Sequence, residues 1–591
     1  MKRKSSPAVG LHVRRSSISL RSLIASALAL TASACGDGEL SSVPGSPAPA
    51  TAGSAASPNG SGPSSNGAAG APVDCSASAP TQVGLTRLRR LTRTELNNTV
   101  RDLLAIDTDP AAAISPDERV GPFDSNATAP ITDLLVQQHG EVAASLARVA
   151  QARMSELSPC DLAADATPAC ATQFVERFGL KAYRRPLERD EVDAYVGLYA
   201  LGRQQSAENA FRLVLEAMLQ SPFFLYHSDA GELGVASAEP TPLTSFELAS
   251  RLSYFLWDTM PDESLFTLAG SGALQSPNEL EAQVRRMLDD PRASAAIPKF
   301  HLQWLGIREM EGVAKEPELF PQFGPDMIQA LINETASFSD EVIRRGDGLL
   351  STLFTANFSI LEGPLFDLYG VERPAGGSGA QRVELDPAER SGILTQGAFL
   401  ATHAHWDQTS PVHRGLFIRE NILCQTIPPP PPNVIPTPPA PTPGTTTRER
   451  IAVHQSEASC SGCHQMMDQI GLGFEAYDAS GAFRSVEDNR PVDDTGSLIG
   501  TNDPALDGPF DGAIELSQRL AESGVVQECV SRQWFRFALG RSLANDDACS
   551  LASMKEQFVA SGGNVRELLV SIAMSDAFRN VRSMGSAAGE E

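Results

Sequence analysis

Lysine is nearly missing from this chain: only Lys2, Lys4, Lys181, Lys299, Lys315 and Lys555 occur among 591 residues. Schiff-base and P-loop chemistry, which both need a lysine ammonium, therefore have almost no side chain to use. The sequence also contains no G-x-x-x-x-G-K-[ST], H-E-x-x-H, G-x-S-x-G or G-x-G-x-x-G, so the commonest nucleotide, zinc-protease and serine-hydrolase signatures are absent. No catalytic motif stands out. Basic charge is short overall, with 47 basic against 72 acidic residues and a net charge of −25. Such a surface repels phosphate backbones, and no nucleic-acid partner is expected. A 42% hydrophobic and 20% charged composition is that of a globular protein and excludes a wholly disordered chain.

Long apolar runs are lacking too. The clearest, residues 23–30, is too short to span a bilayer. It comes after basic positions from Lys2 to Arg21 and ends in Ala32-Ser33-Ala34-Cys35, the layout of an export signal over residues 1–34. Small residues just before a cysteine resemble a bacterial lipobox, with Ala32 where leucine is usual. The expectation is an acylated Cys35 and a lipid-anchored protein on the periplasmic face of the outer membrane or at the cell surface. Residues 35–74, rich in Ser, Gly, Ala and Pro, read as a disordered tether.

Eight cysteines remain after Cys35, and in an exported chain they should be bonded or liganded. Short separations make Cys160 with Cys170, and Cys529 with Cys549, candidate local disulfides, which leaves Cys75 with Cys424.

Beyond the tether the apolar period is helical, and a mainly α body is expected. Thr92-Arg93-Thr94-Glu95 and Thr244-Ser245-Phe246-Glu247 are capping boxes, each followed by apolar residues at helical spacing. Further amphipathic runs cover 208–220, 278–289, 326–344, 525–539 and 564–574. Prolines from Pro428 to Pro443 form a polyproline strap before a distinct C-terminal unit. Segments near 215–223 and 569–578 both end an apolar helix at a serine and then bury an aromatic, a helix stop reached twice.

One motif carries definite chemistry: Cys460-Ser461-Gly462-Cys463-His464. Two thiols at this spacing can add to the two vinyl groups of one haem, and the next histidine can ligate its iron. One covalent haem c is the expectation, with His464 on the iron. A Cys460–Cys463 disulfide is the alternative; zinc would need a second ligand pair, and none stands downstream. Met466 and Met467 lie too close to His464 to reach the opposite face. His403, His405 and His413, around Trp406 and Asp407, are the candidates for a sixth ligand, with bis-histidine ligation and an open position both allowed.

These segments resemble the planctomycete-type cytochrome-like modular proteins, built from domains of unknown function 1587, 1595, 1592, 1588 and 1585 in that order. The resemblance rests on residues 90–104, Tyr183-Arg184-Arg185-Pro186-Leu187, Ser221-Pro222-Phe223-Phe224-Leu225-Tyr226, Leu252-Ser253-Tyr254-Phe255-Leu256-Trp257, Ser410-Pro411-Val412-His413-Arg414-Gly415, the Cys460 to His464 motif with Gly471-Leu472-Gly473-Phe474-Glu475, and Phe535-Arg536-Phe537-Ala538-Leu539-Gly540-Arg541. It implies helical modules at 75–150, 151–235, 236–372, 373–490 and 491–591, with the proline strap and C-x-x-C-H in the fourth. Asp468-Gln469 stands where relatives commonly have Asp-Pro. Arg184, Arg414 and Arg541 are candidates to pair with buried carboxylates or haem propionates.

Two functions of different class fit these features. One is a lipid-anchored c-type cytochrome that exchanges electrons with an exported redox partner. The other is a colourless surface scaffold that binds an exported partner and keeps Cys460 and Cys463 as a disulfide.

Overall fold

The structure is a computed structural model that describes residues 74–76, 80–128, 130–164, 167–227, 229, 239–374, 379–428, 440–455 and 458–582. The export signal, Cys35, nearly all of the tether and the proline run from 429 to 439 lie outside the described residues. Among the described residues no helix is long and apolar enough to cross a membrane.

The body is mainly α. Both expected capping boxes form: Thr92 accepts from the Glu95 N–H while the Glu95 carboxylate accepts from Thr92 N, and Thr244 and Glu247 do the same. Each satisfies two N–H groups that a helix start would otherwise leave bare. The longer helices of the N-terminal part are α1 (Arg93–Leu104), α2 (Asp133–Ala150), α3 (Pro168–Tyr183), α4 (Arg189–Arg203) and α5 (Ala207–Leu219). They share one core around Val100, Phe174, Phe211 and Leu215. Next along the chain come helices α6 (Ser245–Trp257), α7 (Pro277–Asp289), α8 (Ala293–Trp304), α9 (Pro325–Asp340), α10 (Gly397–Thr402), α11 (Pro411–Phe417), α12 (Thr447–Gln455), α13 (Ala458–Leu472), α14 (Gly512–Glu522), α15 (Gly524–Leu539), α16 (Ala548–Ala560) and α17 (Val565–Met574). A second core draws on residues between Leu243 and Val581. Trp257, Trp304 and Trp534 are buried in it, and Phe300 stacks on Trp534 with ring centroids 3.6 Å apart. Val83 and Phe123 reach into it from the N-terminal part.

The junction of the two cores is ionic. Asp258, in the left-handed conformation at the end of α6, accepts from Asn98 of α1 at 3.0 Å and from Lys299 Nζ of α8 at 2.5 Å. Thr99 of α1 and Tyr254 of α6 share a hydrogen bond of 2.8 Å.

The described strands pair only in twos. β1 (Arg89–Arg90) lies antiparallel to β2 (Tyr226–His227), β3 (Thr241–Pro242) pairs with the last strand, and a hairpin joins β4 (Thr495–Leu498) to β5 (Gly508–Asp511). That last strand, β6 (Asn580–Val581), sets up a parallel with β2. Both come directly after a one-turn helix capped by a serine, Ser221 or Ser575. In each an arginine from a neighbouring helix end or helix ties the turn down. Arg184 donates to Phe224 O and Tyr226 O, and Arg251 to Phe578 O and Asn580 O. The aromatic buried in the first copy is Phe224; Phe223 is half-exposed.

Three disulfides are present: Cys75–Cys549, Cys160–Cys170 and Cys424–Cys529, with Cα separations of 5.3, 6.0 and 5.4 Å. The expected Cys529 with Cys549, and Cys75 with Cys424, are corrected. Cys529 lies on the buried face of α15, against the turn that ends at Cys424. Cys549 sits half-buried in the first turn of α16, where the N-terminal segment passes.

Candidate functional site

The C-x-x-C-H motif occupies the first half of α13. The second half is in the core: Met467, Asp468, Ile470 and Leu472 are buried, whereas Ser461, Cys463 and His464 are half-buried and Gly462 is exposed. The helix thus emerges from the protein at the motif. Cys463 carries no disulfide. Cys460 belongs to the same helix; its side chain, like that of His454, lies outside the described residues.

Glycine makes the clamp on α13. A Cβ on Gly415 of α11 would stand 1.8 Å from Met467 O, and one on Gly471 would stand 1.8 Å from Pro411 O. The two helix backbones are therefore in direct contact and antiparallel, Pro411 beside Gly471 and Gly415 beside Met467. On another side the β4–β5 hairpin closes in, with Gly496 against Gln469 O and the Phe510 ring against Gly473. Arg419 adds a bond of 2.8 Å to Met466 O.

Arg414, fully buried, holds the turn after α13. It donates to Phe474 O at 2.9 Å, Tyr477 O at 3.1 Å, Asp478 O at 2.9 Å and Leu400 O at 3.1 Å. Burial pulls its pKa down to about 10, with Glu475 opposing. Glu475 is buried too, which raises its pKa, and it accepts from Thr409 Oγ1 and Arg484 at 2.8 and 2.9 Å. Arg414 is thus committed to backbone carbonyls, as is Arg184, while Arg541 makes a bidentate pair with Asp547 at 2.7 Å. Of the two expected pairings, the one with a buried carboxylate is met by Arg541 with Asp547 and, at 3.9 Å, by Arg414 with Glu475, whereas Arg184 serves backbone carbonyls.

His464 faces Asp468, one helical turn on. Nδ1 stands 2.9 and 3.1 Å from the two carboxylate oxygens, and the Asp468 side chain is fully buried. A carboxylate only accepts, so in this contact Nδ1 is the donor. Motif and composition drew attention to Asp468 only through its neighbour Gln469, not as a partner of the histidine. Its spacing of four from a histidine on a helix was the available signal.

The three upstream histidines part company. His403 Nε2 donates to Leu305 O at 2.9 Å, and the ring packs between Phe399 and Phe417, at 4.8 and 4.5 Å. Burial lowers its pKa to about 4. Its Nε2 is already engaged with Leu305 O. His405 and His413 come together with ring centroids 5.0 Å apart; burial lowers the pKa of both. His413 is on α11, the helix clamped to α13. Beside the pair, Trp406 is 55% exposed, and Lys315 Nζ donates to Ala401 O at 2.9 Å and His405 O at 2.8 Å, fixing the loop that carries them. Among the described residues no cluster of three or more His, Cys, Asp or Glu side chains is arranged to hold a metal ion.

Five family profiles match the chain in series. They are Protein of unknown function (DUF1587) at residues 89–152, (DUF1595) at 170–229, (DUF1592) at 243–371, (DUF1588) at 390–487 and (DUF1585) at 507–578. No curated protein and no solved structure matches. The clamp of α11 on α13, with Arg414, His464 and Asp468, falls wholly within the fourth unit, and with all five units present in this order the chain belongs to the planctomycete-type modular proteins built from them.

Proposed function

We propose that this protein is an exported c-type cytochrome that holds one haem through Cys460, Cys463 and His464 and exchanges electrons with another exported protein. The observation that carries the reading is the state of the motif: Cys463 outside any disulfide, and His464 held through Nδ1 by Asp468. The donor set fits the group, since two thiols three residues apart on one helix and an imidazole directly after them are what covalent haem attachment uses. The haem, when bound, supplies a one-electron ferric/ferrous couple.

The rest is done by the chain. Gly415 and Gly471 let α11 lie directly on α13, Arg414 pins the following turn, and the motif is presented at the protein surface by a rigid helix half. Electron exchange with a partner needs that surface placement. His405 and His413 would be the candidates to hold the iron through a second imidazole. Three disulfides suit an oxidising compartment, and we place the protein, lipid-anchored through Cys35, on the periplasmic face of the outer membrane or at the cell surface.

The test is expression with the native signal in a host competent for cytochrome c maturation, read by haem-stained denaturing gel and pyridine haemochrome spectrum. Covalent haem is expected in the wild type and absent from Cys460→Ser. A colourless wild type with Cys460 and Cys463 oxidised to each other would overturn the reading and leave a disulfide-bonded surface scaffold.

A further inference from the structure

We infer that Asp468 is a positioning residue that fixes the orientation of His464 and biases the site toward the ferric state. The inference rests on the haem reading above and adds a residue that the C-x-x-C-H motif does not contain.

Three observations carry it. The Asp468 side chain is completely shielded from solvent, and its two oxygens stand 2.9 and 3.1 Å from His464 Nδ1. Both residues sit on one helix, four positions apart, so the helix itself sets their separation. The stretch carrying Asp468 has little freedom to move: Met467 O touches Gly415, Gly471 touches Pro411 O, and Gln469 O lies against Gly496. An imidazole held this way has one tautomer and one ring orientation, the geometry that outer-shell carboxylates impose on metal-bound histidines.

The buried charge also acts on the iron. With haem bound, the iron would supply the one-electron ferric/ferrous couple, while Asp468 would make and break no bond and its carboxylate would go on accepting from His464 Nδ1. A fixed negative charge hydrogen-bonded to the ligand stabilises the more positive ferric form and makes the imidazole a stronger donor. In the low-dielectric interior this charge is screened far less than one at the surface. The midpoint potential is therefore lower than that of the same haem without Asp468, and a partner that reduces it must be correspondingly more reducing.

The experiment is a potentiometric titration of haem-loaded wild type, Asp468→Asn and Asp468→Glu, with covalent haem counted in each. Asp468→Asn keeps the size of the side chain and removes the charge. The expected result is full haem attachment and a shift of the ferric/ferrous ratio toward ferrous of tenfold or more at fixed poise, 59 mV for each tenfold in a one-electron couple. Asp468→Glu, which restores the charge, should move back toward wild type. A loaded Asp468→Asn whose midpoint is unchanged overturns the inference while leaving the haem reading intact. Should both variants fail to fold, the oxidised wild type decides by paramagnetic NMR: a His464 Nδ1 proton protected from solvent exchange supports the inference, and one exchanging like a surface imidazole overturns it. A wild type without haem removes the underlying reading, and the inference with it.

Discussion

Glu334 is a carboxyl group in the wrong solvent. It lies on α9 with no exposed surface; Oε1 accepts from Ser359 Oγ at 2.7 Å and Tyr369 Oη at 2.6 Å, and Oε2 has no hydrogen-bond partner. Burial raises its pKa to about 7, outweighing the two hydrogen bonds and the more distant Arg390. The folded state therefore binds a proton that the unfolded state has released between pH 4.5, the ordinary glutamate value, and about 7. Linkage then makes stability fall as pH rises through that window. Glu334→Gln removes the dependence without leaving a cavity. In urea denaturation the variant should match or trail wild type at pH 4.5 and exceed it at pH 8, the relative gain being roughly 3 kcal/mol. A wild-type-minus-variant difference that is flat with pH would show that Glu334 stays ionised throughout. Comparing the two proteins cancels the opposite contribution of His139, His227, His301 and His403, whose burial lowers each pKa to about 4 and which cost stability on acidification through the range 6.5 to 4.

Elements long enough to show a period were legible in the sequence. The runs at 278–289, 326–344 and 525–539 became helices Pro277–Asp289, Pro325–Asp340 with a following π-helical turn, and Gly524–Leu539, and both capping boxes formed where Thr92 and Thr244 stood. The helices that build the candidate site were harder to read. Pro411–Phe417 has seven residues, under two turns, too few for a period, and its contact surface is a glycine, which leaves no apolar signal. Asp468 was equally hidden, because a carboxylate on an otherwise apolar face reads as a break in the pattern until the histidine four residues before it is seen as its partner. The clamp yields a sharp expectation. Gly415→Ala puts a methyl where Met467 O stands 1.8 Å away, and neither backbone can yield without parting α11 from α13. The variant should lose roughly 3 kcal/mol or more, and amide exchange should rise along α11 and α13 first. Gly462→Ala, in open space on the same helix, is the control and should be neutral or slightly stabilising. Equal behaviour of the two variants would mean that the helices are not in backbone contact.

At the scale of the molecule, the chain closes on itself. Cys75 is joined to Cys549, Gly84 N donates to Asp547 at 2.9 Å, Thr86 N donates to Arg582 O at 2.7 Å, and β6 near the C-terminus pairs with β3. Residues 83–86 are thereby stitched along the C-terminal unit before the chain passes through β1 into α1, and Val83 is buried there in the larger core. No sequence rule could have found this bond, because its partners are 474 residues apart and connectivity among six cysteines is open by arithmetic alone. It matters for how the body hangs from whatever precedes residue 74: pull on the N-terminal segment is borne by a covalent link to α16, not by a frayed strand. Closing so long a loop also removes much entropy from the unfolded chain, typically 2–4 kcal/mol of stability. Non-reducing peptide mapping should therefore recover a Cys75–Cys549 peptide, and trypsin should leave exposed Arg87 intact in the oxidised protein. In Cys75→Ser/Cys549→Ser, the same site should be cut early while the cores, each with a separate disulfide in or beside it, still resist. Recovery of a Cys529–Cys549 peptide instead would return the bond to the local pairing that spacing suggests, and would detach the N-terminal segment from the unit that the structure binds it to.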